Sequence, residues 1–237
     1  VFRVVHRVLV RCPSAGCGIV FEPHERWLGK NLYCPACGAR MTARPLEVDA
    51  ALARRPDLPP RSGEIARERL PFVVVADNLR SLWNVGSIFR TADACGVSRI
   101  VLCGISGCPP RAEIAKTALG AEQAVTWEYR ADASTALGPL REEGYTPVAL
   151  ERTPQSIALE EVSWPERVCL VLGNEVAGVS STLLPDCAHH VHIPMLGVKS
   201  SLNVAVAFGI AAFAIGRVLA SRGGARFSAE TAAEARR

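Results

Sequence analysis

The chain has no G-x-G-x-x-G run anywhere in its 237 residues. That fingerprint lets a helix N-terminus approach a pyrophosphate closely. Its absence argues against a Rossmann dehydrogenase and against the common Rossmann-type methyltransferase. No apolar run reaches the length of a membrane span either. The most hydrophobic stretch, residues 204–216, is 13 residues long between Asn203 and Arg217, whereas a span needs about 20. It reads as a buried helix, and no membrane partner is expected. A secretory leader is not evident: residues 1–10 mix Arg3, His6 and Arg7 into a strand-like apolar run. Nine cysteines, an odd number, fit cytosolic thiols better than a disulfide framework, so the expected location is cytoplasmic. Internal repeats are absent, and the one biased tract is an Ala/Glu/Arg tail after Phe227.

The formal net charge is only +4, but it is unevenly spread. Residues 1–70 hold twelve Lys/Arg against seven Asp/Glu, and the remainder fifteen against sixteen. The basic excess at the N-terminal end suits contact with a polyanion, or is a solvated basic surface.

Composition divides the chain into four parts. Residues 1–44 carry four grouped cysteines. Residues 45–70 contain Pro45, Pro56, Pro59, Pro60 and many arginines, and read as a linker with at most a short helix near 62–69. Residues 71–223 form a domain, and 224–237 a flexible tail. Within the domain, apolar β-branched runs predict strands at 72–76, 99–103, 125–129, 145–150, 168–172 and 189–193. Helices are predicted over 84–94 (Asn84 as N-cap, Gly96 closing), 111–119, 134–143 and 201–219. This alternation predicts an α/β fold, a mostly parallel sheet with helices on both faces. Ligands on such sheets bind beyond the carboxyl ends of strands, so the loops after Ala76, Leu172 and Ile193 are the ones to watch.

Cys12-Pro-Ser-Ala-Gly-Cys17 and Cys34-Pro-Ala-Cys37-Gly38 are two cysteine pairs 16 residues apart. Each pair can aim two thiolates at one point, and two such turns make a closed tetrahedral set suited to structural Zn2+. Such a metal folds a segment too small to have its own core, giving a zinc-ribbon-like module. His24 lies between the pairs as a substitute ligand or a surface histidine. The remaining cysteines, Cys95, Cys103, Cys108, Cys169 and Cys187, read as small buried hydrophobes.

Three segments carry chemistry. The first holds Asn84 and Arg90. The second is Gly173-Asn-Glu175-Val-Ala-Gly178, directly after a strand, where glycines allow a sharp turn and close backbone approach. The third runs from Ile193 through Met195, Gly197, Ser201, Leu202 and Asn203 into the last helix, with Ser201 available as its N-cap. Each segment alone is compatible with an ordinary turn or cap.

Together and in this order they resemble the SpoU/TrmH family of the SPOUT superfamily of RNA 2'-O-ribose methyltransferases, over about 150 residues. Asn84 and Arg90 match its first motif, Gly173, Glu175 and Gly178 its second, and residues 193–204 its third. The resemblance implies a C-terminal trefoil knot, an exception to the un-knotted rule, and a homodimer through the knot region. It implies S-adenosyl-L-methionine as methyl donor, held near Leu172, Gly173, Ile193, Met195 and Leu202, and RNA (tRNA or rRNA) as acceptor. It nominates Arg90 as catalytic, supported by Asn84, Glu175, Ser201 and Asn203. A guanidinium with a pKa above about 12 is a poor base, so Arg90 is expected to bind a phosphate and steer its oxygen, or water, to the 2'-hydroxyl. Glu175 is expected to orient Arg90 or a backbone amide.

The chain departs from the family where Ala214 replaces a frequent Glu, and where the cysteine module stands in place of other substrate domains. That module contacts RNA in one reading and docks protein in another. The rival for the whole chain is a non-catalytic RNA-binding protein on the same scaffold. Loss of Arg90, Glu175 or Asn203 would mark it, and all three are present. His190 and His192 read as a polar strand face, and Lys116 and Lys199 as phosphate contacts or surface lysines.

Overall fold

A cysteine pair bracketed by short extended segments favours a hairpin whose tip presents both thiols. Two such hairpins open the structure, a computed structural model that describes residues 10–21, 23, 28–42, 58–61 and 69–222. Strands β1 (Val10–Arg11) and β2 (Val20–Phe21) flank the first pair, and β3 (Asn31–Tyr33) and β4 (Arg40–Thr42) the second. The Cys12 amide donates to the Ile19 carbonyl and the Cys34 amide to the Ala39 carbonyl, each at 2.8 Å, which closes the hairpins. Val10, Phe21, Leu32 and Met41 are buried and join the same apolar cluster as the helical face of the main sheet. The module is therefore docked on the domain. His24, most of the 1–10 segment and the 224–237 tail lie outside the described residues.

The stretch expected to be a linker contributes a strand, β5 (Leu58–Arg61), which pairs antiparallel at the edge of the main sheet. Pro59 and Pro60 lack an N–H and suggest a loop, but an edge strand tolerates proline because one of its sides needs no donors. The helix expected near 62–69 falls almost wholly outside the described residues.

Leu70–Asp77 (β6) is apolar from Pro71 to Ala76 because it is buried on both faces in mid-sheet. Phe72 and Val74 point to one layer, and Val73 and Val75 to the other, as alternation requires. Next come α1 (Leu82–Ala94), β7 (Val97–Cys103), α2 (Ala112–Ala118), α3 (Ala121–Ala124) and β8 (Thr126–Arg130). They are followed by α4 (Ser134–Glu142), β9 (Thr146–Leu150), β10 (Ile157–Ala158), β11 (Val168–Leu172), β12 (His189–His192) and α5 (Val204–Arg222). The sheet order is β10-β12-β9-β11-β6-β7-β8-β5, parallel throughout except β5. Helices α1, α2 and α5 cover one face, and α4 the other. The expected α/β architecture, with helices on both faces, is what forms.

Two helix starts differ from the sequence reading. Ser81, not Asn84, caps α1: its hydroxyl accepts from the Asn84 amide at 3.3 Å. Asn203, not Ser201, caps α5, its Oδ1 accepting from Ala205 N at 2.9 Å. Ser, Asn and Asp are near-equal caps, so the choice is made by packing. Helix α5 also ends at Arg222, three residues past the predicted end at Leu219. With 19 residues and an 18-residue stretch of mean hydropathy 2.0, it is long and apolar enough to cross a membrane by composition. Instead, Phe208, Ala211, Ala212 and Ile215 are fully buried in the domain core.

Candidate functional site

The two strands at the centre of the sheet, β6 and β11, end side by side, with Leu172 paired to Ala76. Chain direction across the sheet reverses here, where an open α/β sheet leaves its crevice. The chain leaves β11 through a closed loop in which Asn174 and Gly178 exchange backbone hydrogen bonds of 2.9 and 2.8 Å. Gly173 is obligatory in this loop because a Cβ there would lie 2.1 Å from the backbone carbon of Gly178. Gly178 has φ +75 and abuts the Glu151 carboxylate, so a side chain is excluded twice.

Polar groups invisible to motif reading hold this loop. Glu151, at the end of β9, accepts from Val179 N at 2.9 Å. Buried Asn174 donates to the Asn78 carbonyl and accepts from Val176 N and Ala177 N. Buried Asp77 accepts from Ser180 N at 2.9 Å and from Asn78 Nδ2 at 2.8 Å. Asp77, Asn78 and Glu151 stand at or just past the ends of buried strands, but nothing in the sequence names their partners on distant elements.

The loop delivers Glu175 to the first turn of α1. Its carboxylate accepts from Arg80 N at 2.9 Å, Ser81 N at 3.0 Å and Asn84 Nδ2 at 2.8 Å. The negative group thus sits where the helix exposes free N–H groups and positive dipole charge. Asn84 then accepts through Oδ1 from Asn203 Nδ2 at 3.1 Å. Asn203 in turn caps α5. One chain of hydrogen bonds, Asn203 to Asn84 to Glu175, therefore ties together all three sequence motifs. Of the two partners expected for Glu175, the backbone amides are realised; Arg90 is not among its contacts.

A cavity of about 300 Å3 lies against Glu175. Its walls include Leu172, Gly173, Ile193, Met195, Leu202 and Ser201, together with Glu151 and Glu175. The five positions nominated for the methyl donor thus line one pocket, at the small end of the usual range for ligand sites. Arg90 stands exposed on α1, outside these walls. His192 lines the cavity and bonds Ser156. His190 donates from Nε2 to the Leu184 carbonyl, which leaves Nδ1 to accept from Thr153. Both histidines have structural partners, as a polar strand face requires. Lys116 sits 5.8 Å from the Trp83 ring centre, and Lys199 is exposed.

The four clustered thiols meet as their spacing predicts. Cys12 and Cys37 sulfurs are 3.6 Å apart, as are those of Cys17 and Cys34, and all four lie within 4.8 Å of one another. A tetrahedral zinc with bonds of about 2.3 Å requires sulfur separations of about 3.8 Å. The donor set and its geometry fit that ion. Burial pushes the Cys12 and Cys34 thiols up, whereas the Ala39 backbone amide draws exposed Cys37 down to about 7. Outside the cluster, Cys103, Cys108 and Cys169 are buried, as expected, and Cys95 and Cys187 are half-buried.

Residues 71–213 match the SpoU rRNA Methylase family. A 23S rRNA (guanosine-2'-O-)-methyltransferase of Vibrio parahaemolyticus is 31% identical over 151 residues, covering 63% of this chain and 60% of that protein. The chain spans about 60% of the length of the curated relatives it matches. Among solved structures, the A. aeolicus TrmH/SpoU tRNA modifying enzyme superposes with TM-score 0.60 at 29% identity, over 67% of this chain and 80% of that one. An AdoMet-bound rRNA methyltransferase from Sinorhizobium meliloti gives TM-score 0.59 at 29% identity, over 67% and 62%. With three motifs joined by one hydrogen-bond chain and a family match over most of its length, the chain belongs to the SpoU rRNA methylase family.

Proposed function

We propose that this protein transfers the methyl group of S-adenosylmethionine to a ribose 2'-hydroxyl of structured RNA, tRNA or rRNA. The observation that carries the reading is the Asn203–Asn84–Glu175 chain, whose Glu175 shares a cavity with Leu172, Gly173, Ile193, Met195 and Leu202. Methyl donor and acceptor must be held in line, and a rigid link between three loops suits that demand. The names of the relatives, which include 2'-O-methylation and an AdoMet-bound structure, favour the same chemistry.

S-adenosylmethionine supplies an electrophilic methyl on a sulfonium. The backbone around Gly173 and Ile193 grips it, and the apolar side chains of Leu172, Met195 and Leu202 exclude water. Bound there, it would supply the methyl for the 2'-oxygen, and Arg90 would orient the phosphate oxygen or water that takes the hydroxyl proton. Arg90 is exposed on α1 one residue before Thr91, whose Cγ2 is 3.9 Å from where a Gly209 Cβ would lie on α5. That position, in the lining of neither this cavity nor the larger second one, suits a grip on RNA outside them and not a contact with the methyl donor. Glu175 holds the start of α1 through backbone amides, and Asn84 and Asn203 fix the ribose side with Ser201.

The functional unit in this reading is a homodimer. Val206, Ile210 and Phe213 are exposed, at 52%, 41% and 58%, and recur at helical spacing along α5. Such a stripe favours cover by another surface. The family resemblance implies a C-terminal trefoil knot and a dimer formed through it. The Cys12, Cys17, Cys34, Cys37 set holds one structural Zn2+, and a closed thiolate shell gives it no role in the chemistry. Equilibrium dialysis with S-adenosylmethionine tests the core of the reading. The wild-type chain binds it, Gly173→Ala does not, and equal binding by both would contradict the assignment.

A further inference from the structure

A second cavity, of about 680 Å3, opens on the other side of Glu175, which lines both. One wall is the start of α1 with Asn203, and the opposite wall is the second cysteine hairpin. Two large aromatic rings are presented at this cavity with much of their surface uncovered: Tyr33 of the hairpin is 67% exposed and Trp83 of α1 49%. Two arginines, Arg80 and Arg111, share the lining with Glu175 and with Glu113, whose carboxylate lies 3.6 Å from Arg111. The hairpin is in close contact with the domain here. A Cβ at Gly38 would lie 2.6 Å from both terminal nitrogens of Arg111. Leu32 and Cys34, either side of Tyr33, belong to the buried cluster that includes Val85 and Ile88 of α1.

We propose that this cavity takes the acceptor nucleotide of the RNA, its base splayed out against Tyr33 and Trp83 and its phosphates toward Arg80 and Arg111. The cysteine module is then part of the acceptor site and not a distant tether. Exposed aromatic faces beside guanidinium groups are how proteins receive unstacked RNA bases. An apolar peptide anchor would call for a drier pocket with fewer cations. The volume suits one nucleotide-sized group, and sharing Glu175 with the first cavity sets the acceptor beside the donor. This inference rests on the methyl-transfer reading above.

The test measures binding of a fluorescent single-stranded RNA 12-mer of mixed sequence to the full chain, with zinc content and S-adenosylmethionine affinity recorded for every variant. Tyr33→Ala and Trp83→Ala should each weaken RNA binding about tenfold, and Tyr33→Phe, which keeps the ring, should stay within about twofold of wild type. Zinc content and S-adenosylmethionine affinity should not change. Unaltered RNA affinity in both alanine variants would overturn the base subsite and leave the hairpin as a protein-docking surface. Failure of the wild-type chain to bind S-adenosylmethionine would overturn the methyl-transfer reading, and the acceptor assignment with it.

Discussion

Glu175 and Asn84, 91 positions apart in sequence, meet through a hydrogen bond of 2.8 Å at the N-terminus of α1. The same carboxylate also accepts two backbone amides, so it acts as an external cap for that helix. A residue that reads as catalytic by motif is therefore also a structural clamp between β11 and α1.

Removing that clamp has a measurable cost. Losing a helix cap costs about 0.5–2 kcal/mol, and in a chain of this size 1 kcal/mol shifts Tm by about 2–4 °C. Glu175→Ala should lower Tm by a few degrees in differential scanning fluorimetry, with Glu175→Gln falling between it and wild type. A Tm equal to wild type in Glu175→Ala would mean that the clamp contributes nothing to the fold.

Arg90 makes the opposite prediction. It is exposed and lies outside the donor cavity, so Arg90→Ala should leave Tm unchanged and S-adenosylmethionine affinity within a few fold of wild type while abolishing turnover. Full turnover in that variant would remove Arg90 from the mechanism.

The reach of the sequence can be judged from particular residues. Periodicity and β-branched runs identified the sheet strands of the domain from β6 to β12 except the two-residue β10, because buried parallel strands have a simple composition. Helix starts were less legible. Asn84 and Ser201 are good caps by chemistry, but Ser81 and Asn203 hold the positions where packing begins α1 and α5. The strand Leu58–Arg61 was hidden by its two prolines. The metal ligands were readable because four thiols at fixed spacing leave few alternatives. Glu151, Asp77 and Asn78 were not, since their partners lie on other elements far along the chain.

The thiol cluster gives a third prediction. The purified chain should carry one zinc per molecule by elemental analysis, and Cys37→Ser should lose it. Structural zinc contributes about 10–16 kcal/mol to such modules, so the hairpins should unfold in that variant, seen as protease sensitivity before residue 44. A zinc-free wild-type chain that resists the protease would contradict the assignment.

The apolar stripe on α5 gives a fourth. Phe213 is 58% exposed in the single chain, so Phe213→Glu should leave the domain folded but shift the species seen by sedimentation velocity from dimer to monomer. A wild-type chain that sediments as a monomer at micromolar concentration would contradict the dimer.

The most direct test of methyl transfer incubates the full chain with S-adenosylmethionine labelled in the methyl group and total RNA from cells lacking the gene. The RNA is then digested to nucleosides and resolved by mass spectrometry. The expected result is label in a 2'-O-methylnucleoside, lost when Arg90→Ala replaces the wild type. Label on a nucleobase, or none in RNA while the donor is bound, would contradict the account.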